Sequence, residues 1–459
     1  MSTARTGPRG GAMFRALSHR NYRLFWAGAF LSGAGTWMQT VAQSWLVLKL
    51  TDSAFWLGLD TFMASAPGLL LTLLAGVYAD VFDRKRLLIF MQAGAGAAAL
   101  ALAALVWAEA VQVWMILVLT FVTGCCWAVA GPSYQAITID LVEREDLANA
   151  IALNSTQFQL SRVFGPLLAA LAIKFTGLAG CFLINGLSYA AIVVALALVK
   201  FKKAAGTGET AAQRGDDAAE GTPAAGAEPT AASAEVASPG ADAASALVDD
   251  APRRTSGGGR AVLRDLLEGF SYVKRRPRVS LLIVCSAVVS LFGSPYLVLM
   301  PLFARNVFGW GETGLSLLMG TAGVGALCGA LMLAYRGDFR RKGWFVLCSA
   351  FAAALCVVGF SSVSRPAPAL VLLFGVGFSM VSFFAVSNTL IQHLVTDRMR
   401  GRVMSMWILT FVGTMPFGSF LSGAAAERFG PQRTLAACGI FIALFVVWVG
   451  WRNPRLREL

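Results

Sequence analysis

Apolar positions along this chain run in long unbroken stretches rather than alternating, and polar positions cluster in the short gaps between them. A helix that crosses a membrane needs about 20 predominantly apolar residues. Twelve stretches meet that requirement, near 24–48, 55–79, 87–108, 112–134, 154–174, 180–199, 279–304, 313–335, 344–364, 368–389, 404–427 and 433–451. Six precede and six follow one segment of opposite character, so the pattern predicts an all-α membrane protein of twelve transmembrane helices in two six-helix bundles. The predicted organisation is an N-terminal stretch (1–23), a first bundle (24–200), a linker (201–259), an amphipathic helix (260–278), a second bundle (279–451) and a tail (452–459).

The linker reads as disordered because Ala204 to Gly259 is dominated by Ala, Gly, Glu, Asp, Pro, Ser and Thr without an aromatic residue, too little apolar surface to offset the entropy of ordering. After it, Val262, Leu263, Leu266, Leu267, Phe270 and Val273 recur at helical spacing among Arg264, Asp265 and Lys274 to Arg276. That spacing fits a helix lying on a membrane surface.

Composition agrees with the pattern: of 459 residues 57% are hydrophobic and 14% charged, against about 25% charged in soluble proteins. Mean hydropathy is +0.65, which excludes a soluble enzyme. The net charge of +13 is explained by topology and not by nucleic-acid binding. Basic residues gather in alternate connections: Arg15, Arg20 and Arg23; Arg84 to Arg86; Lys200 to Lys203 and Lys274 to Arg278; Arg336 to Lys342; Arg398 to Arg402; and Arg452 to Arg457. The positive-inside rule puts these in the cytoplasm, so both termini and the linker are expected there, in a multi-pass protein of the inner membrane. Residues 1–20 have no apolar core and do not read as a cleavable signal peptide. The 8 cysteines lie within apolar runs without CxxC spacing and the 2 histidines are far apart, so no metal site or disulfide framework is expected, and no cofactor.

An offset of 253 positions superposes Gly124 on Gly377, Leu141-Val142 on Leu394-Val395 and Gly165 on Gly418. This suggests a duplicated bundle with pseudo-symmetric halves.

Specific motifs sharpen the reading. Gly76-Val77-Tyr78-Ala79-Asp80-Val81-Phe82-Asp83-Arg84-Lys85-Arg86 closely resembles the G-x-x-x-D-x-x-x-R-[KR]-x signature of the major facilitator superfamily. Physically, Gly76 allows close helix approach and the basic cluster meets an anionic leaflet. The resemblance implies the major facilitator fold and that Asp80 and Arg84, with Lys85 and Arg86, form a cytoplasmic gate; the counterpart from Gly329 to Lys342 keeps only the basic charge. Arg162-Val163-Phe164-Gly165-Pro166-Leu167-Leu168-Ala169-Ala170 looks like the end of the antiporter motif of drug exporters, with alanines for two glycines. His19 to Gly28, Trp37-Met38, Trp45 to Val47, Cys181 to Asn185 and Arg400 to Val403 resemble the enterobactin-exporter-like branch. That branch implies a monomeric proton-coupled exporter of a siderophore, drug or metabolite, working by alternating access among membrane lipids.

Polar residues inside spans are the candidates for coupling or cargo contact, since they are costly in hydrocarbon and face the bundle interior or a water-filled cavity. They are Asp60, Arg162, Gln39, Gln43, Asn154, Gln157, Asn185, Tyr296, Asn388 and Gln392, with Gly165 and Pro166 as the flexible point of helix 5. Asp60 is the intramembrane carboxylate, able to carry a proton if shielded; the alternative is an outer-interface residue in contact with water. Helix register puts Asp60 and Arg162 roughly 10 Å apart along the normal of a ~30 Å core, which argues against a direct ion pair. Rival functions are a facilitator or importer with the same fold, or a lipid flippase. An enzyme is not expected, because no convergent catalytic set lies at membrane depth, and without a GxxxxGK[ST] motif no ATP site is expected.

Overall fold

The computed structural model describes residues 14–81, 83–199, 268–337 and 339–457, with the side chains of 72–81, 135, 136, 144 and 455 outside that description. The linker expected over 201–259 and the side chains of Gly76 and Asp80 therefore lie outside the described residues. Among the described residues the structure is helical throughout: α1 (Arg20–Thr51), α2 (Ala54–Val81), α3 (Arg84–Trp107), α4 (Val113–Asp140), α5 (Leu147–Leu198), α6 (268–274), α7 (Pro277–Gly293), α8 (Pro295–Leu302), α9 (Glu312–Arg336), α10 (Lys342–Ser362), α11 (Pro366–Leu394), α12 (Asp397–Phe429), α13 (Pro431–Arg452) and α14 (Pro454–Arg457).

Among the described residues, 10 helical segments are long and apolar enough to cross a membrane. Two features bring this to the twelve crossings the sequence predicts. First, α5 is 52 residues long and leaves helical geometry at Gly177 (φ 69°), a left-handed position that glycine adopts without Cβ strain. The chain reverses there, because Gly33 on α1 faces Ser161 of the first arm while Gly35 faces Asn185 and Ser188 of the second. Second, α1 spans 32 residues, and Thr36, Gln39, Thr40 and Gln43 lower its hydropathy below that of an ordinary span. The seventh crossing is broken into α7, α8 and a π-helical turn at Phe303–Val307, with Pro295 and Pro301 at the interruptions.

The superposed glycines perform equivalent packing. A Cβ on Gly124 would meet the Ala64 carbonyl of α2, and one on Gly377 the Ala322 carbonyl of α9. Likewise Gly165 is pressed against the Ala34 carbonyl of α1 and Gly418 against the Leu291 carbonyl of α7. Backbone contact through small residues replaces the hydrophobic drive that is absent between helices in lipid.

The halves meet along two related seams. On one, α2 runs against α12, with Gly58 facing Gly423 and the Ser419 carbonyl, and Phe62 against Phe417 and Phe420. On the other, the first arm of α5 runs against α9, where Gly323 faces the Arg162 carbonyl and Gly320 faces Leu167. The expected amphipathic helix is described only as α6, which ends before Pro277 opens α7. There Val273 is buried and Phe270 exposed, while Glu268 pairs with Arg402 on α12 at 2.5 Å.

These two classes of glycine contact predict different mutant behaviour. Gly165→Val, which drives side-chain atoms into α1 of the same half, should lower stability by about 1–3 kcal/mol and reduce folded yield. Gly423→Val, whose Cβ would sit 2.7 Å from the Ala54 carbonyl of the other half, should leave yield near native and loosen the seam. Thermal melting of both purified variants checks this, and equal loss in the two contradicts it.

Candidate functional site

Asp60 sits on α2, buried, with 8% of its surface exposed. Its carboxylate accepts from Gln43 Nε2 at 2.9 Å through each oxygen and from Thr120 Oγ1 at 2.9 Å. Gln43 Nε2 also reaches Thr120 Oγ1 at 2.8 Å. The network continues: Gln39 Nε2 donates to Gln43 Oε1 at 3.3 Å, Asn185 Nδ2 to Gln39 Oε1 at 2.6 Å, and Ser188 Oγ to Asn185 Oδ1 at 3.1 Å. Beside it, Tyr189 OH lies 3.3 Å from both Thr36 Oγ1 and Trp127 Nε1. Four crossings, from α1, α2, α4 and the second arm of α5, thus converge on one buried carboxylate, all within the first half. The register of α1 explains it, because Gln39 and Gln43 are one turn apart on the face turned to α2 and α5.

Arg162 is built differently. It is 9% exposed and donates from Nη2 to Tyr296 OH at 3.1 Å, with its guanidinium 5.6 Å from the Trp37 ring centre. Tyr296 stands at the start of α8 directly after the break in the seventh crossing and is 3% exposed. This bond joins the two halves at mid-depth. Among the described residues Arg162 forms no ion pair, with Asp60 or with any other carboxylate, in agreement with the depth argument.

The remaining sequence candidates separate from these two centres. Gln157 Nε2 donates to the Ala29 carbonyl at 3.1 Å and to Ser161 Oγ at 3.1 Å, which ties α5 to α1. Asn154 Nδ2 donates to Thr138 Oγ1 on α4 at 3.1 Å. Gln392 Nε2 donates to Asn388 Oδ1 at 3.1 Å within α11. Gly165 and Pro166 are buried against α1 and α9. The candidates therefore fall into a carboxylate cluster, a cation on the seam, amides that tie α5 to α1 and α4, and an amide pair within α11. Among the described residues no group of His, Cys, Asp or Glu could hold a metal ion.

At the end carrying the basic clusters, Arg84 Nη1 lies 3.9 Å from Asp140 Oδ2, and Lys85 Nζ donates to the Ala197 and Val199 carbonyls at 3.1 and 2.8 Å. Arg15 and His19 meet Asp146 at 3.0 and 2.8 Å. Each of these contacts stays inside the first half. The opposite end is tied across the halves. Glu427 Oε2 at the end of α12 accepts from Ser53 Oγ at 2.9 Å and from the Phe55 backbone N–H at 3.2 Å, so an anion caps the first turn of α2. Arg305 donates to the Leu48 carbonyl at 3.2 Å and pairs with Asp52 at 3.1 Å, so a cation caps the last turn of α1. Both signs match the helix dipole they face. Arg305 and Glu427 are isolated charges near helix ends and carry no sequence motif. Thr120 and Gln159 gave no signal beyond ordinary polar residues in a span.

The chain matches the model of a family described as transmembrane secretion effector over residues 11–213 and 255–458. It is 22% identical over 445 residues to the staphyloferrin A transporter of Staphylococcus aureus, covering 95% of this chain and 97% of that one. It is 24% identical over 443 residues to the multidrug efflux pump Tap of Mycolicibacterium fortuitum, covering 94% and 95%. Among solved structures, a bacterial homolog of the human lysosomal transporter Spinster superposes with a TM-score of 0.65 at 13% identity, covering 98% of both chains.

The capping contacts yield a direct test. Arg305→Gln and Glu427→Gln each remove about 0.5–1 kcal/mol of charge–dipole attraction. The labelling rate of a thiol at Ala54→Cys, a position 4% exposed on the α2–α12 seam, should then rise about two- to fivefold in a cysteine-free background. An unchanged rate in the double variant would show that the caps do not hold this end shut.

Proposed function

Because the chain belongs to the transmembrane secretion effector family of the major facilitator superfamily, we propose that it exports a small molecule across the inner membrane in exchange for protons, by alternating access between its two halves. That it is a multi-pass membrane transporter and not an enzyme follows from the family and from its transporter relatives. The basic end faces the cytoplasm by the positive-inside rule, with both termini on that side. Arg84 then stands where a cytoplasmic gate is needed, as the family signature implies.

The observation that carries the reading is the separation of the two buried charges. Asp60 is held inside one half by amides and hydroxyls that can accommodate either protonation state, whereas Arg162 is held across the seam. A carrier that exchanges protons for cargo needs such a pair of centres, one that titrates without unfolding its bundle and one that is remade when the halves rearrange. Contacts at the far end, from Glu427 and Arg305 inward to Tyr296, describe a state closed to the outside. The names of relatives, an efflux pump and a staphyloferrin A transporter, favour an organic cargo of siderophore or drug size. A monomer suffices, because the seam that must open lies within one chain.

Everted vesicles loaded by an imposed proton gradient and screened against antibiotics and siderophores test this. Native protein should accumulate at least one compound in a protonophore-sensitive manner. Asp60→Asn should lower gradient-driven accumulation by about tenfold or more while leaving downhill counterflow of the same compound near native. Full gradient-driven transport by Asp60→Asn would remove the carboxylate from the coupling step.

A further inference from the structure

One turn toward the basic end from Arg162, on the same face of α5, lies Gln159. It is 2% exposed, and neither its amide nitrogen nor its amide oxygen has a hydrogen-bond partner. A buried amide with both ends unsatisfied is destabilising, and so is a buried guanidinium without a counter-ion. Here the two are three residues apart on one face of α5. Arg162 spends one donor on Tyr296 and rests against the Trp37 ring, which Phe158 in turn meets edge-on at 6.2 Å. The guanidinium offers five donors, and the described residues bring it no anion.

We propose that Arg162, Gln159 and Tyr296 form a recognition site for the carboxylate of an aromatic organic anion, with Trp37 and Phe158 as the wall for its ring. The assignment rests on the transporter reading above and names the class of cargo for the same seam. A carboxylate accepts the planar pair of guanidinium donors in bidentate fashion, the Gln159 N–H2 supplies a further donor, and the Tyr296 hydroxyl adds one from the opposite half. Lysine does not replace this fork. An anion here competes with Tyr296 for Arg162, so binding acts on the bond that joins the halves at mid-depth. The unsatisfied amide is then a group kept ready for cargo at a cost in stability.

The test is equilibrium binding of a matched pair, 2-naphthoate and 2-naphthamide, to the purified full-length protein in nanodiscs. The acid should bind about tenfold or more tightly than the amide, a preference that Arg162→Gln brings to within about twofold. Gln159→Leu should weaken the acid about three- to tenfold and raise the melting temperature, because an idle buried amide is replaced by an apolar group. Equal affinity for acid and amide, or no binding of either, overturns the proposal. A fall in melting temperature for Gln159→Leu at unchanged affinity overturns the part given to Gln159. Nanodiscs with and without phosphatidylglycerol separate a free anion from a lipid headgroup, and displacement of naphthoate by that lipid overturns the small-molecule assignment. Gradient-driven efflux by the same preparation is scored separately: efflux without acid preference removes this site alone, whereas absence of efflux of any compound removes the transport reading.

Discussion

A charge within the hydrocarbon slab must find its partners inside the protein, and the architecture of this chain follows from how two such charges find theirs. Asp60 is satisfied locally. Gln43 and Thr120 close around its oxygens and Gln39 and Asn185 hold Gln43 in turn, so the first half carries its carboxylate as a self-contained unit. Arg162 rests on the Trp37 ring of its own half and reaches across the seam to the Tyr296 hydroxyl, so that bond exists only while the halves are docked. One charge belongs to a bundle and the other to the relation between bundles.

The two ends of the molecule divide along the same line. At the basic end the described contacts of Arg15, His19, Arg84 and Lys85 stay within the first half. At the far end Arg305 and Glu427 reach across to cap α1 and α2 with the sign each dipole favours. Helix caps of this kind are exposed and individually weak. Weak ties suit the closure that the proposed alternating access breaks, and the glycine contacts beneath them, such as Gly58 against Gly423, let the seam pack closely beside the rings of Phe62, Phe417 and Phe420.

Much of this was legible in the sequence because its signal is one-dimensional. Span positions follow from run length and the duplication from glycines whose packing roles recur in both halves. Residues whose meaning depends on a partner far along the chain were less legible. The bonds of Gln157 to α1 and of Asn154 to α4 were not legible, because an amide in a span has the same sequence signature whether it faces a cavity or a neighbouring helix. Arg305 and Glu427 carried no pattern, since a capping charge is recognised only beside the helix end it faces. Gln159 reads in the sequence as an ordinary polar residue of a span, and burial without a partner distinguishes it. The 52-residue α5 shows the opposite case, where two crossings were read correctly because Gly177 and its polar neighbours interrupt the apolar run.

The central claim is that the halves move as units about a seam tied at one end in this state. Pulsed electron–electron double resonance on two label pairs measures it most directly: Gln112→Cys with Arg365→Cys across the far end, and Glu143→Cys with Arg340→Cys across the basic end. The account predicts two populations at each end, with the far-end pair short whenever the basic-end pair is long, and acidification or bound cargo shifting both in opposite directions. Single, unresponsive distance distributions at the two ends, or shifts in the same direction, would contradict it.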